Sequence, residues 1–123
     1  MVSTHMRNQY IENFKECHEG NLEIFKQNKD TYSSDMIQHT LLSAIEKNNT
    51  ECVRYIVDNH LVNIYDKPYC DIAAKCGAYD CLKILHENGC SFRKYTALLC
   101  MIRGDARCLQ YVLKNGGELN MPA

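Results

Sequence analysis

The sequence lacks the features that would indicate a membrane-bound, secreted or nucleic-acid-binding protein. No apolar run approaches the roughly 20 residues of a membrane-spanning helix, and the N-terminus has no apolar segment typical of a secretory signal. Fourteen Lys and Arg face fifteen Asp and Glu, a formal net charge of −1, whereas nucleic acids and anionic membranes favour basic patches. We therefore expect a cytoplasmic, reducing location, with neither a nucleic acid nor a membrane as partner.

Motifs that carry catalysis are also missing. There is no Gly-rich phosphate loop, and the His-Glu pairs that begin at His18 and His86 have no second histidine one turn later, which such metal motifs need. Cys17 and His18 are a nucleophile and a base by type, but adjacent residues on a helix point about 100° apart and cannot share a proton. The sequence predicts no enzyme activity, no catalytic residue, no bound metal and no cofactor.

Cysteine, in contrast, is abundant, with eight in 123 residues. Without a secretory signal we interpret these residues as reduced thiols rather than as a disulfide framework. Whether they form a metal or redox site or simply belong to the scaffold depends on whether they recur at a fixed period.

A repeat of 27 to 29 residues runs through the chain. Segment 76–92 aligns with 103–119 at an offset of 27 and with 47–63 at an offset of 29, and 19–32 is a fainter copy. Each copy contains a short apolar helix pattern, a turn with Gly or Asn, and a second helix with a wide apolar stripe. An Asn-Gly pair or its equivalent then ends the second helix. One such unit cannot bury its stripe alone, so neighbouring units must stack.

We predict that residues 7–123 form a single domain of about four repeats, at 7–31, 32–63, 64–92 and 93–120. The polar segment 1–6 is expected to be disordered or to be left over from cloning.

The repeat resembles the ankyrin repeat. Ile72-Ala73-Ala74 matches its double-alanine segment, Gly77 its inter-helix glycine and Asp80 the acidic start of its second helix, while Leu82, Leu85 and Gly89 match the rest of that helix and its end. The resemblance implies an all-α, ankyrin-like solenoid of helix-turn-helix repeats that binds other proteins.

Copies spaced by 28, 29 and 27 residues are shorter than the usual 33 or so, so the connecting fingers should be truncated. Such short-fingered, cysteine-rich chains are similar to ankyrin proteins of large DNA viruses and some protists, which implies that a host or cellular protein is the partner.

The repeat register explains the positions of some cysteines and leaves the role of the others open. Cys52, Cys81 and Cys108 share the first apolar position of the second helix, and Cys100 aligns with Ala73; buried cysteine behaves as a small hydrophobic residue. The alternative is a thiol-based metal-binding or redox-sensing protein. It would use Cys70, Cys76 and Cys90, which have no cysteine equivalents, and Cys76 is separated from Cys81 by a spacing compatible with zinc.

Two groups of residues are candidates for contact with a partner. The truncated loops are rich in the Tyr and Arg that dominate interface energetics, although tyrosines there also serve to pack neighbouring helix starts. The last repeat carries few charges. Either it precedes further repeats of a longer protein, or it forms an apolar end. We therefore expect a monomer or a weak homodimer that forms through this repeat. The predicted binding residues are Tyr32, Tyr65, Tyr69, Arg93, Lys94 and Tyr95, and the predicted self-association end comprises Leu98, Met101, Ile102, Tyr111 and Val112.

Overall fold

The computed structural model describes residues 22–65 and 67–121, and within these ranges it contains α-helices and no strand. This confirms the all-α fold class. The predicted first helix of the first repeat and the segment 1–6 lie outside the described residues, and the repeat boundaries stay predictions. The helices are α1 (Leu22–Asn28), α2 (Ser34–Glu46), α3 (Thr50–Asp58), α4 (Tyr69–Cys76), α5 (Tyr79–Glu87), α6 (Thr96–Arg103) and α7 (Ala106–Lys114), with a 3-10 turn at Lys29–Thr31 after α1.

The helices form two layers. Three pairs, α2–α3, α4–α5 and α6–α7, pack against each other within a repeat. The first helices α2, α4 and α6 contact one another in series, and so do the second helices α3, α5 and α7. Helix α1 adjoins the second layer, where the ring of Phe25 meets that of Tyr55 edge to face at 6.0 Å. The arrangement is the stack that the repeat predicts.

The turn between the two helices of a repeat requires a left-handed backbone. Asn48, Gly77 and Gly104 occupy equivalent positions, with φ angles of +52°, +69° and +80°. Glycine adopts this region without steric cost, and asparagine is one of the few other residues that tolerates it. The three residues that the sequence placed in register therefore have the same conformation.

An asparagine closes each described second helix in the same way. The side-chain amides of Asn59, Asn88 and Asn115 donate to the carbonyl oxygen four residues earlier, at 2.8, 2.7 and 2.8 Å. The same carbonyl oxygen also accepts the backbone N–H of that asparagine, so the side chain adds a second hydrogen bond at the helix end. The Asn of the repeated Asn-Gly pair is thus a helix-closing residue.

The core follows the seam between the layers. Cys52, Cys81 and Cys108 are all fully buried there, and Cys100 and Leu82 are equally inaccessible. The prediction that the three repeat-equivalent cysteines line the core is confirmed.

The fingers are irregular loops in the part of the chain that the structure describes. Residues 88–95 join α5 to α6, and the backbone N–H of Arg93 donates to the hydroxyl of buried Thr96 at 2.7 Å. That hydroxyl in turn donates to the carboxylate of Asp71 on α4. The side chain of Asn120 donates to the carbonyl of Lys94 at 2.9 Å. Side-chain hydrogen bonds therefore hold this finger in place of a β-ladder.

Candidate functional site

The described fingers present an exposed basic and aromatic rim, here named the finger edge (Tyr65, Lys67, Arg93, Lys94 and Tyr95). Tyr65 is 63% exposed and Tyr95 is 38% exposed, and the other three side chains are also exposed. The Lys94 ammonium lies 5.4 Å from the centroid of the Tyr95 ring. Four of the six predicted binding residues therefore lie on one accessible edge.

Gly89 positions the most exposed of these rings. A side-chain carbon at Gly89 would lie 2.5 Å from Cε1 of Tyr65, a distance that no real Cβ keeps. The Tyr65 ring thus packs directly on the backbone of the neighbouring finger, while most of its surface faces water. A partly fixed ring loses little freedom on binding, which suits an interface residue.

The other two predicted binding residues, Tyr32 and Tyr69, are packed inside the protein. Each is only 7% exposed. The ring of Tyr32 stacks on Phe25 at 5.6 Å, and Tyr69 is the first residue of α4, where burial raises its hydroxyl pKa and neighbouring Cys90 adds to the effect. Both rings belong to the core, so these two tyrosines are not part of the candidate surface.

A groove crosses the exposed side of the first-helix layer. It encloses about 560 Å³. Half-buried Leu42 and Ile72 form an apolar floor, and exposed side chains of both charge signs form its rim. The groove spans three successive helices, and it is lined by Leu42, Glu46, Ile72, Lys75, Cys76 and Arg103.

Arg103 reaches this groove by crossing the turn of the preceding repeat. A side-chain carbon at Gly77 would lie 2.8 Å from Nε of Arg103. Gly77 thus adopts the left-handed turn conformation without steric cost, and the Arg103 side chain packs on its backbone. Lys75 and Arg103 bring two positive charges to the rim opposite Glu46.

The thiol in the groove is not activated. Burial raises the pKa of half-exposed Cys76, Glu46 raises it further, and Arg103 and Lys75 offset only part of the increase. Since the thiolate is the nucleophile and the metal ligand, this side chain contributes to the groove as a small neutral group.

The groove was not predicted from the sequence, although the repeat register contains its signal. Glu46 and Lys75 are equivalent at the offset of 29, and Lys75 and Ile102 at the offset of 27. These positions lie on the outer side of α2, α4 and α6. Comparing the outward positions of the first helices across repeats would have identified the rim.

The predicted self-association end is only partly accessible. Met101 is 40% exposed and Ile102 71% exposed, whereas Leu98 and Val112 are buried. Tyr111 is partly buried, and its hydroxyl lies 3.0 Å from Nδ1 of His86. Three apolar residues that the sequence analysis did not name are exposed at the same end of the described chain: Leu113, Leu119 and Met121.

The candidate metal and catalytic residues within the described ranges do not group into a site. Cys81 is fully buried, and burial, with Asp80 and Cys52 adding to it, raises its pKa to about 12. The His86 ring stacks on Phe92 at 4.3 Å. Among residues 22–65 and 67–121, no three His, Cys, Asp or Glu side chains are grouped so as to hold a metal ion. Cys17 and His18 lie outside these ranges.

The same part of the chain contains no helix with the length and apolar character that crossing a membrane requires.

Comparison with known proteins identifies the repeat. Residues 41–92 match the family model of ankyrin repeats in many copies. The matched segment begins in α2, includes α3 to α5, and ends in the finger before α6. No curated protein and no solved structure matches the chain significantly. The family match and the stacked helix pairs together show that residues 41–92 are similar to ankyrin repeats.

Proposed function

We propose that this chain is a non-catalytic protein–protein interaction module that binds its partner along the first-helix groove and the finger edge. The observation that carries the proposal is the groove itself, an apolar floor with a charged rim that spans three helices of a rigid stack. The ankyrin repeat family supports the same class of function. The partner is another protein, predicted to be a cellular or host protein and met in the cytoplasm, where the described free thiols persist.

The two parts of the surface have complementary roles. Leu42 and Ile72 offer apolar area that a partner side chain can cover, and the rim charges favour one orientation of the partner. On the finger edge, tyrosine and arginine are the residue types that contribute most to binding energy. The site is carried by helices and by hydrogen-bonded fingers, so little ordering is needed when the partner binds.

Charge reversal in the groove tests the proposal. We expect Lys75→Glu combined with Arg103→Glu to abolish recovery of partners that the unmodified chain captures from cells, because both rim cations would repel what they now attract. Tyr65→Ala and Tyr95→Ala should each reduce recovery, with a loss of affinity of about thirtyfold for a hot-spot residue. Captured proteins are quantified by mass spectrometry.

The matched control reverses two charges on the second-helix layer. Arg54 on α3 and Lys83 on α5 are also exposed, and Arg54→Glu with Lys83→Glu changes net charge by the same amount. Equal loss of partners in both double variants would contradict the proposed surface, provided that both remain helical by circular dichroism.

A second candidate function is self-association through the C-terminal end. The specific observation is the exposure of Met101, whose equivalent in the third repeat, Ala74, is fully buried. The same end would be covered by further repeats if the chain is part of a longer protein. Light scattering across a range of concentrations distinguishes a stable monomer from a weak homodimer.

A further inference from the structure

Two cysteines of the third repeat are not explained by the scaffold. Cys70 and Cys90 align with Leu41 and Leu61 of the second repeat, and with Ala97 and Gly117 of the fourth. Stacking therefore does not require cysteine at either position. Nevertheless, the third repeat has cysteine at both.

These two cysteines are in contact. Both are fully buried. The thiol of Cys70 donates to the carbonyl oxygen of Cys90 at 3.6 Å, and the thiol of Cys90 donates to the carbonyl oxygen of Lys67 at 3.5 Å. The pair connects the start of α4 to the finger that follows α5.

The surroundings of the two sulfur atoms differ. The Cys90 side chain lies against the start of α4, whose first two residues are Tyr69 and Cys70. Hydrogen bonds from a helix N-terminus stabilise a thiolate. Interaction with Cys70 and with the N-terminal backbone of α4 lowers the pKa of Cys90 against the opposing effect of burial, whereas interaction with Cys90 and burial raise the pKa of Cys70. These directions favour Cys90 over Cys70 as the nucleophile of the pair.

We propose that Cys70 and Cys90 are a covalent modification site, a dithiol that hydrogen peroxide converts to an intramolecular disulfide. The Cys90 thiolate attacks one peroxide oxygen, the O–O bond breaks, and hydroxide leaves, giving a sulfenic acid. The Cys70 sulfur then attacks the Cys90 sulfur, and the sulfenic oxygen leaves as water with the Cys70 proton. Two thiols lose two electrons and two protons, and the peroxide is reduced to two water molecules.

Access to the buried sulfur requires the finger to open. Asn88, Gly89 and Ser91, which flank Cys90, are all exposed. Local opening of such a surface loop costs less than global unfolding. The disulfide would then join the start of α4, which follows the loop of Tyr65, to the finger that carries Arg93, at the base of the finger edge.

Tryptic mapping tests the proposal directly, because trypsin separates the relevant cysteines. It cleaves after Lys and Arg but not before Pro68, so Cys70 falls in peptide 55–75 and Cys90 in peptide 84–93, each as its only cysteine. The reduced, folded chain is treated with hydrogen peroxide, blocked with N-ethylmaleimide and digested without reductant. We expect a linked 55–75/84–93 pair, two hydrogen atoms lighter than the sum of its peptides and lost on reduction.

The chain provides its own competing pair as a control. Cys100 and Cys108 are also fully buried and each influences the pKa of the other, and they fall in peptides 95–103 and 108–114. Cys70→Ala, which introduces the residue found at position 97, should abolish the linked pair, and Cys100→Ala, which introduces the residue found at position 73, should leave it unchanged.

A predominant 95–103/108–114 link, intermolecular links, or unlinked Cys70 and Cys90 in the unsubstituted chain would overturn the proposal. The unsubstituted chain alone shows which cysteines become linked, so the test does not depend on whether a variant folds. No binding partner is used, so the result is independent of the proposed function.

Discussion

Three equivalent residues at the start of the second helices show how one side chain determines a helix end. The side chain of Asn49 accepts the N–H of Cys52 before α3, and that of Asp105 accepts the N–H groups of Arg107 and Cys108 before α7. Ala78 occupies the same position before α5 and offers no side-chain cap. Capping is therefore supplied in two of these repeats and dispensable in the third, where fully buried Leu82 and Leu85 hold the helix to the core.

The caps predict a pH-dependent stability. Partial burial raises the pKa of Asp105, but the hydrogen bonds from Cys108 and Arg107 outweigh it and leave the pKa below its ordinary value of 3.8. A carboxyl whose pKa is lower in the folded state stabilises the protein above the unfolded pKa, and this contribution is lost as the pH falls through the folded pKa. At pH 7 we expect Asp105→Ala to reduce the free energy of unfolding by about 1 kcal/mol, the usual effect of an N-cap. The reduction should shrink as the pH falls below 3.8, as measured by urea denaturation.

Asn49→Ala is the matched control for this prediction, since its amide caps α3 in the same way but does not titrate. Its cost should be similar at pH 7 and should not change with pH. If the two variants showed the same pH dependence, titration of the Asp105 carboxylate would not be the cause.

At the scale of the helices, equivalent positions differ in what covers them. Leu82 on α5 and Leu109 on α7 are equivalent at the offset of 27. Leu82 is fully buried between its neighbours, whereas Leu109 is half-buried because no described helix packs on the outer side of α7. The repeat dictates the residue type, and the neighbouring element dictates its contribution to stability.

We therefore expect Leu82→Ala to cost about 2–5 kcal/mol of unfolding free energy, the range for a large-to-small change in a core. Leu109→Ala should cost clearly less, because its side chain already meets water and leaves a smaller cavity. Denaturant unfolding of both variants measures the difference. Equal losses would mean that α7 is covered as completely as α5.

At the scale of the whole molecule, the stack is built by contacts between neighbours. Each described pair of helices contacts the pair before and after it, as in other solenoids, where terminal repeats usually carry a polar outer face. Here the last described pair exposes Met101, Ile102 and Leu113 instead. An apolar end on a one-dimensional stack is a surface on which another copy can continue the packing.

This end predicts concentration-dependent assembly. The unsubstituted chain should show a dimer fraction that grows with concentration in light scattering, and Met101→Glu should shift the midpoint at least tenfold higher, since a charge would be desolvated at the contact. Gln38→Glu, which adds the same charge at an exposed position on α2, away from the last pair of helices, is the control. An unsubstituted chain that is monomeric at all concentrations would refute the prediction, as would a shift of equal size in both variants.

Much of this architecture could be predicted because it repeats. The period of 27 to 29 residues placed Asn48, Gly77 and Gly104 in register, and all three adopt the left-handed turn conformation. It also placed Cys52, Cys81 and Cys108 on the buried seam. Such features depend on local conformation and on a stripe of apolar residues, both of which are written into a short stretch of sequence.

The sequence by itself determined the helix pairs, their turns and the thiol-lined seam, because each unit repeats the same local preferences. Only the tertiary structure decided which loop residues face water. It placed Tyr65 and Tyr95 on an exposed edge and Tyr32 and Tyr69 in the core, and it brought Cys70 to Cys90 across 20 residues. These outcomes depend on which neighbouring repeats pack against each loop. That packing arises only between separate elements of the folded stack, so the composition of a single loop does not determine it.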